Sequence, residues 1–248
     1  MISLRRFFSA LLAPVLVAAA PNAAPADERE CVVLLHGVAV SSWTMNRLAG
    51  KLEAAGYRTI NLSYPSRDLP LEQIALELLP KQLRAHDIAR APKVHFVTHS
   101  MGSIVARLYL RDHRPANLGR VVMLGPPNQG SVAADAAARH TMLRWALGLN
   151  LQRVGTGKRS LSNQLGPADF ELGIIAGSSQ INPLFNHVLD RPHDGAVTVA
   201  AARLDGMKDF LVVPYSHTLM LWRSAVSAQV ISFLRDGQFI HPTAKAAP

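Results

Sequence analysis

Residues 94–102 read VHFVTHSMG, and this stretch decides the fold prediction. Its first four residues form a short run typical of a buried strand, and residues 104–108 have the spacing of a helix. A serine on a tight turn between a strand and a helix presents its hydroxyl at the surface of a sheet. Because such a turn is crowded, the residues two before and two after Ser100 should be small. Gly102 meets this requirement and Thr98 does not, so the motif needs support from the rest of the chain.

Short apolar runs alternate with helical patterns along the chain. Continuous apolar runs indicate strands that are buried on both faces, as in a parallel sheet. The predicted strands are 31–35, 57–62, 93–97, 120–124, 171–176 and 210–213, and the predicted helices are 43–55, 70–90, a pair within 132–151, and one near the C-terminus with apolar residues from 219 to 233. This alternation predicts an α/β fold with one mostly parallel, doubly wound sheet flanked by helices.

His36 and Gly37 directly follow the first predicted strand. Gly37 allows the backbone to turn close to the serine, so that the N–H of Val38 can point towards a substrate oxygen. Met101, the residue after Ser100, can supply a second N–H. Acyl transfer requires two such donors, because negative charge develops on the carbonyl oxygen.

A nucleophilic serine also requires a base, and the base requires an orienting carboxylate. The chain contains ten histidines, and His217 is favoured because it follows the last predicted strand and precedes the last helix. Asp194 is favoured as the acid because it lies in the loop before that strand and Gly195 follows it. Asp190 and Asp205 remain alternatives.

Together these motifs resemble those of α/β-hydrolases of the bacterial lipase and esterase type. The resemblance spans nearly all of residues 27–248 and is carried by 34–37 (LLHG), 98–102 (THSMG), 124–131 (LGPPNQGS), 194–197 (DGAV) and 216–217 (SH). The order serine, aspartate, histidine also matches. The resemblance implies the α/β-hydrolase fold, a Ser100–His217–Asp194 triad, and cleavage of carboxylic esters through an acyl-enzyme. It implies an ester or lipid-like small molecule as substrate and no cofactor.

The segment 125–166 is a long excursion between two predicted core strands. Long excursions in compact domains are usually functional. Apolar residues are interleaved with arginines across 132–151. We interpret 131–166 as a lid or cap insertion over Ser100, and the alternative is that its helices simply pack on the sheet.

Residues 1–26 match a secretory signal peptide. Arg5 and Arg6 precede an apolar run over 7–20, and the small residues Ala24 and Ala26 frame a cleavage site. The chain is therefore expected to be exported, to the periplasm or the medium, with an uncleaved membrane anchor as the alternative. The domain would then comprise residues 27–248. Its single cysteine, Cys31, excludes an intrachain disulfide and is expected to be a small buried residue.

The formal charge of the whole chain is +9, and without residues 1–26, which hold two arginines and no acids, it is +7. A basic surface favours anionic membranes and anionic substrates, so contact with a membrane surface is an expectation. No nucleic-acid-binding motif or basic block accompanies the charge, which argues against nucleic acid as a partner. No metal-ligand motif is present.

Two alternatives to ester hydrolysis remain: acyl transfer to an alcohol, and a non-catalytic binding protein. The sequence does not indicate an oligomeric state.

Overall fold

The strands in the described part of the protein form a single six-stranded sheet. The structure is a computed structural model that describes residues 28–158, 160–179 and 187–241. All neighbouring strands are parallel, in the order β2-β1-β3-β4-β5-β6. The strands are β1 (Cys31–Leu35), β2 (Arg58–Leu62), β3 (Val94–His99), β4 (Leu118–Leu124), β5 (Leu172–Gly177) and β6 (Asp209–Val213). The predicted doubly wound parallel sheet is thus confirmed.

Helices cover both faces of the sheet. They are α1 (Asn46–Ala54), α2 (Leu71–Gln73), α3 (Leu79–Ala85), α4 (Met101–His113), α5 (Val132–Arg139), α6 (Thr141–Leu147), α7 (Leu161–Gln164), α8 (Val199–Ala202) and α9 (Ser224–Asp236). A π-helical turn, Ile74–Leu78, joins α2 to α3, and 3-10 turns occur at Ser42–Met45 and Leu219–Trp222.

The strand β1 shows why its residues form a continuous apolar run. All five are buried. Because successive side chains of a strand point to opposite faces, Cys31, Val33 and Leu35 pack in the core that includes α3 and α4. Val32 and Leu34 pack in the other core, with α1 and α9. Burial raises the pKa of the Cys31 thiol to about 11, as expected for an inert buried cysteine.

The strand order creates a crevice at the carboxyl ends of β1 and β3. From β1 the chain crosses to β2 at one edge, and β3 then pairs with the opposite side of β1. Ligands of open α/β sheets bind where the strand order reverses in this way. The residues after β1, beginning with His36, and Ser100 after β3 therefore meet at this crevice.

The predicted insertion, 131–166, contains α5, α6 and α7 between β4 and β5. In α5, four alanines are buried. In α6, no residue is buried, and Met142 and Trp145 are strongly exposed.

The predicted signal peptide, residues 1–26, lies outside the described residues. Across the described ranges, no helix has both the length and the apolarity required to cross a membrane.

Candidate active site

Ser100 occupies the sharp turn between β3 and α4. Its backbone has φ 54° and ψ −127°, a region that residues other than glycine rarely adopt. The Ser100 N–H donates to the carbonyl of Leu124 at 2.9 Å. A Cβ on Gly102 would lie 2.5 Å from the carbonyl oxygen of Leu35, which shows that only glycine fits there. The turn thus holds the hydroxyl of Ser100 at the carboxyl edge of the sheet.

Thr98 fits into this turn although a smaller residue was expected. Its side chain is fully buried, and its Oγ1 forms a 2.8 Å hydrogen bond with Oγ of Ser103 in the first turn of α4. The hydroxyl therefore has a partner, and the bond links the strand to the helix on either side of Ser100.

Ser100, His217 and Asp194 form a continuous chain of hydrogen bonds. The distance from Ser100 Oγ to His217 Nε2 is 2.8 Å, and the distance from His217 Nδ1 to Asp194 Oδ2 is 2.7 Å. Because Nδ1 faces a carboxylate, it carries the proton, and Nε2 is left to accept one from Ser100. The three residues predicted to act together are thus adjacent, although 117 positions separate Ser100 from His217.

Asp194 is buried and held from several directions. Its Oδ1 accepts hydrogen bonds from the N–H groups of Ala196 at 2.9 Å and Val197 at 2.8 Å. Burial tends to raise the pKa of the carboxyl, but the interaction with the His217 imidazole and these hydrogen bonds outweigh it, so the pKa lies below its usual value. The backbone also connects the pair, since the His217 N–H donates to the Asp194 carbonyl at 2.9 Å. Asp190 and Asp205, by contrast, are exposed.

Val38 and Met101 carry the two N–H groups that were predicted as donors. Val38 follows Gly37 and lines the cavity beside Ser100, and Met101 is the first residue of α4. Within the described part of the chain, neither N–H donates to another group. A Cβ on Gly37 would lie 3.1 Å from His99 Nδ1 and 3.2 Å from Ser100 Cβ, so the turn passes very close to the serine.

His36 supports this turn as a neutral ring. It is fully buried and stacks on Tyr64 with 4.1 Å between ring centroids. Its Nδ1–H donates to the carbonyl of Gly37 at 2.8 Å, and its Nε2 accepts from the Tyr64 N–H at 3.3 Å. Burial lowers its pKa, which keeps the ring uncharged.

His99 is a residue whose role the sequence did not reveal. Its Nε2–H donates to the backbone carbonyl of His217 at 2.9 Å, and the two rings lie 4.7 Å apart. Burial, with the electrostatic influence of the neighbouring His217 ring, lowers the pKa of His99 to about 3, so His99 is neutral. Its identity as the residue before the serine was visible in the sequence, but its partner 118 positions away was not.

Gly125 is a second residue whose role the sequence did not reveal. It has φ 55°, and a Cβ there would lie 3.0 Å from both Asp194 Oδ2 and His217 Nδ1. The glycine after β4 therefore leaves room for the hydrogen bond between the acid and the histidine. The sequence signals were its position at the end of a predicted strand and its place in the motif 124–131, and neither showed what the glycine makes room for.

A cavity of about 90 Å³ lies beside Ser100. Its walls come from the loop after β1, the turn at Ser100 and the segment after His217, and they include Val38, Val40, Thr44, Thr218 and Leu221. No residue of the insertion lines this cavity in the described structure. The walls are mainly apolar, as is typical of a small-molecule site.

The insertion is nevertheless connected to the loop that carries Val38. The buried side chain of Asn150 donates to the carbonyls of Ser66 at 2.9 Å and Leu69 at 2.7 Å and accepts from the Leu71 N–H at 3.0 Å. Ser66 Oγ in turn accepts from the N–H of Ala39 at 3.0 Å. A chain of hydrogen bonds thus runs from the insertion to the turn beside Ser100.

Arg107 anchors the other end of the insertion to α4. Its buried guanidinium donates to the carbonyl and side-chain oxygens of Asn128, to the carbonyl of Ser162 at 3.2 Å and to that of Gly166 at 2.7 Å. No carboxylate pairs with it among the described residues. Burial lowers its pKa to about 10, which still leaves it charged at neutral pH.

The residues around Ser100 do not resemble a metal centre. In the described ranges, no group of three or more histidine, cysteine, aspartate or glutamate side chains is placed to hold a metal ion.

Comparison with solved structures places the fold among hydrolases. The mature lipase BlEst2 of Bacillus licheniformis is 24% identical, with a TM-score of 0.66 over 82% of this chain and 90% of that chain. The phospholipase PlaB of Legionella pneumophila is 20% identical, with a TM-score of 0.57 over 71% of this chain and 45% of that chain. The esterase RhEst1 of Rhodococcus sp. is 16% identical, with a TM-score of 0.57 over 86% and 92% of the two chains.

No curated protein sequence matches the chain. A family model does match, over residues 32–245, and its description is alpha/beta hydrolase family. The match covers most of the chain, including every residue of the site described above. The chain therefore belongs to the alpha/beta hydrolase family, as the sequence motifs predicted.

Proposed function

We propose that this protein is a serine hydrolase that cleaves carboxylic esters, with lipid-like esters among its substrates. The observation that carries the proposal is the hydrogen-bonded chain from Ser100 Oγ through His217 to Asp194. It lies at the mouth of a mainly apolar cavity, which suits the acyl part of an ester. The similarity of the fold to lipases and esterases is in keeping with this activity.

The reaction begins with the hydroxyl of Ser100. His217 Nε2 takes its proton while Oγ attacks the ester carbonyl, and the charge that forms on the imidazole is stabilised by Asp194. His217 then gives the proton to the leaving alcohol, and an acyl-enzyme remains. Water attacks this intermediate with His217 again as the base, which releases the acid and restores the serine.

The negative charge on the carbonyl oxygen needs donors that are already in place. The N–H groups of Val38 and Met101 serve this purpose, because neither is used elsewhere in the described structure. Removing one such donor from a hydrolase costs about 10²–10³ in kcat, so two prepositioned donors contribute much of the catalysis.

The proposal is tested by replacing the nucleophile. Ser100→Ala should abolish turnover of p-nitrophenyl acetate and labelling by a fluorophosphonate probe, with an unchanged melting temperature. Ser63→Ala, at an exposed serine, is the matched control and should behave like the wild type. Full turnover by Ser100→Ala would refute the proposal, and absence of labelling in the wild type would favour a binding protein.

Acyl transfer and export are separate parts of the proposal. If water is the acceptor, the free acid should remain the main product when alcohols are added, and predominant formation of a new ester would indicate a transferase instead.

We also propose export after removal of residues 1–26. A mature N-terminus at Asp27, measured by intact mass of the exported protein, would agree with this, and a retained leader would contradict it.

A further inference from the structure

Two tryptophans at the carboxyl edge of the sheet are exposed to solvent although their side chains are large and apolar. Trp43 is 66% exposed and Trp222 is 37% exposed. Their rings contact each other edge to face, with 6.3 Å between centroids. Large aromatic side chains are normally buried, and contiguous exposed apolar groups usually mark a place where something binds.

Each tryptophan is the neighbour in the chain of a residue that lines the Ser100 cavity. Thr44, after Trp43, and Leu221, before Trp222, are both buried, and both line the cavity. Val40 lines the same cavity and is itself 40% exposed, so apolar surface continues from the cavity to the outside. The backbone of the tryptophan pair therefore begins at the cavity walls, on the side where apolar surface is exposed.

The cavity alone is too small for a long acyl chain. Its volume of about 90 Å³ is well below the roughly 300–1,000 Å³ of pockets that enclose a drug-sized ligand. The first few atoms of an acyl group fill this space. Any further methylene groups must leave it, and they are stabilised only if they find apolar surface outside.

We propose that Trp43 and Trp222 form a binding subsite for the acyl chain of the substrate beyond its first carbons. The inference rests on the proposed esterase function and specifies its substrate class: esters of medium-length, uncharged acyl groups. The acyl part is the one that stays attached to Ser100 in the intermediate, so its chain needs a resting surface after the alcohol leaves. Among the described residues, no acidic or basic side chain lines the cavity apart from the histidines of the site, which suits an uncharged chain.

The structure offers a matched control on another part of the surface. Trp145 in α6 is 73% exposed, but it does not line the cavity, and the guanidinium of Arg67 lies 5.1 Å from the centre of its ring. Its replacement removes a similar exposed ring without touching the proposed subsite.

The test uses p-nitrophenyl acetate, butyrate and octanoate, each below its solubility limit, with the wild type, Trp43→Ala/Trp222→Ala and Trp145→Ala. A methylene that is covered on one side gains about twofold in kcat/KM, since full burial gives about fourfold. Over the four methylenes from butyrate to octanoate, this factor raises the kcat/KM of the wild type about 16-fold, and the double variant should lose that preference for octanoate. Its rate on acetate should not change, and Trp145→Ala should match the wild type throughout.

A second measurement separates this inference from the esterase proposal. Calorimetric titration with sodium octanoate should show about tenfold weaker binding to the double variant than to the wild type, whether or not esters are turned over. Unchanged octanoate binding and an unchanged chain-length preference would overturn the subsite. A loss that appears only on aggregated substrate would also overturn it and would assign the rings to surface contact.

Discussion

The substitution Asp194→Asn tests the proposed proton relay most sharply, because the structure dictates how the new amide must be oriented. Oδ1 of Asp194 faces two donors, the N–H groups of Ala196 and Val197. An amide NH₂ in that place would meet them unfavourably, so the amide oxygen takes the position of Oδ1. The NH₂ group must then face Nδ1 of His217, where Oδ2 now lies at 2.7 Å.

This orientation reverses the protonation of the histidine. Nδ1 of His217 has to accept a hydrogen bond from the amide, so the proton moves to Nε2, the atom that should receive the proton of Ser100. A serine hydrolase with this tautomer loses about 10⁴-fold in kcat. The loss corresponds to about 5.4 kcal/mol in the activation barrier. The fold should persist, because the amide keeps the size of the carboxylate and the two backbone hydrogen bonds.

The assay is the steady-state hydrolysis of p-nitrophenyl acetate, with kcat and KM determined separately. Asp190→Asn and Asp205→Asn are matched controls, since the sequence left both aspartates as alternatives and both are exposed. We expect both controls to behave like the wild type. If Asp194→Asn kept more than about a tenth of the wild-type kcat, or if either control lost as much, the assignment of the acid would be wrong.

Three further predictions concern other parts of the molecule. His99→Leu removes the donor to the His217 carbonyl and should lower kcat about tenfold at nearly constant KM. His99→Gln keeps an N–H donor and should restore part of the lost kcat. Equal kcat values for the two variants would contradict a positioning role for His99. Burial lowers the pKa of His36 and brings that of His99 to about 3, so below about pH 6.5 the unfolded chain binds more protons than the folded one. As the pH is lowered, the free energy of unfolding should then fall by up to about 1.4 kcal/mol per pH unit for each histidine, and for His99 the fall should continue towards pH 3. Urea unfolding between pH 7.5 and 5.5 measures this change. A free energy of unfolding that does not vary with pH would count against buried neutral rings. If the insertion acts as a lid, the rate on a soluble ester should rise abruptly above its solubility limit, and Met142→Ala/Trp145→Ala in α6 should weaken that rise; a smooth saturating curve speaks against a lid.

The parts of the fold that sequence predicted correctly are those with a local physical cause. Both β1 and β3 are buried along their whole length because helices cover both faces of the sheet, and β1 is apolar throughout. The predicted triad residues were found by their order and by their position after a strand, and the structure places them in contact. Their catalytic role remains a prediction.

The features that sequence missed depend on contacts between distant segments. The hydrogen bond from His99 to the carbonyl of His217 joins the end of β3 to the loop after β6, and only the folded sheet brings them together. The same holds for Gly125, whose missing side chain matters only because Asp194 and His217 lie beside it. The partner that makes Thr98 acceptable, Ser103, is close in sequence, but only the geometry of the turn shows that their hydroxyls meet.

The anchoring of the insertion limits how it could open. Arg107 fixes Ser162 and Gly166 to α4, and Asn150 fixes the middle of the segment to the loop after β2. A rigid swing of the whole insertion would break these bonds and, through Ser66, loosen the turn that carries Val38. Motion of the insertion that leaves the N–H groups of Val38 and Met101, the proposed oxyanion donors, in place is therefore confined to the short stretch around α6.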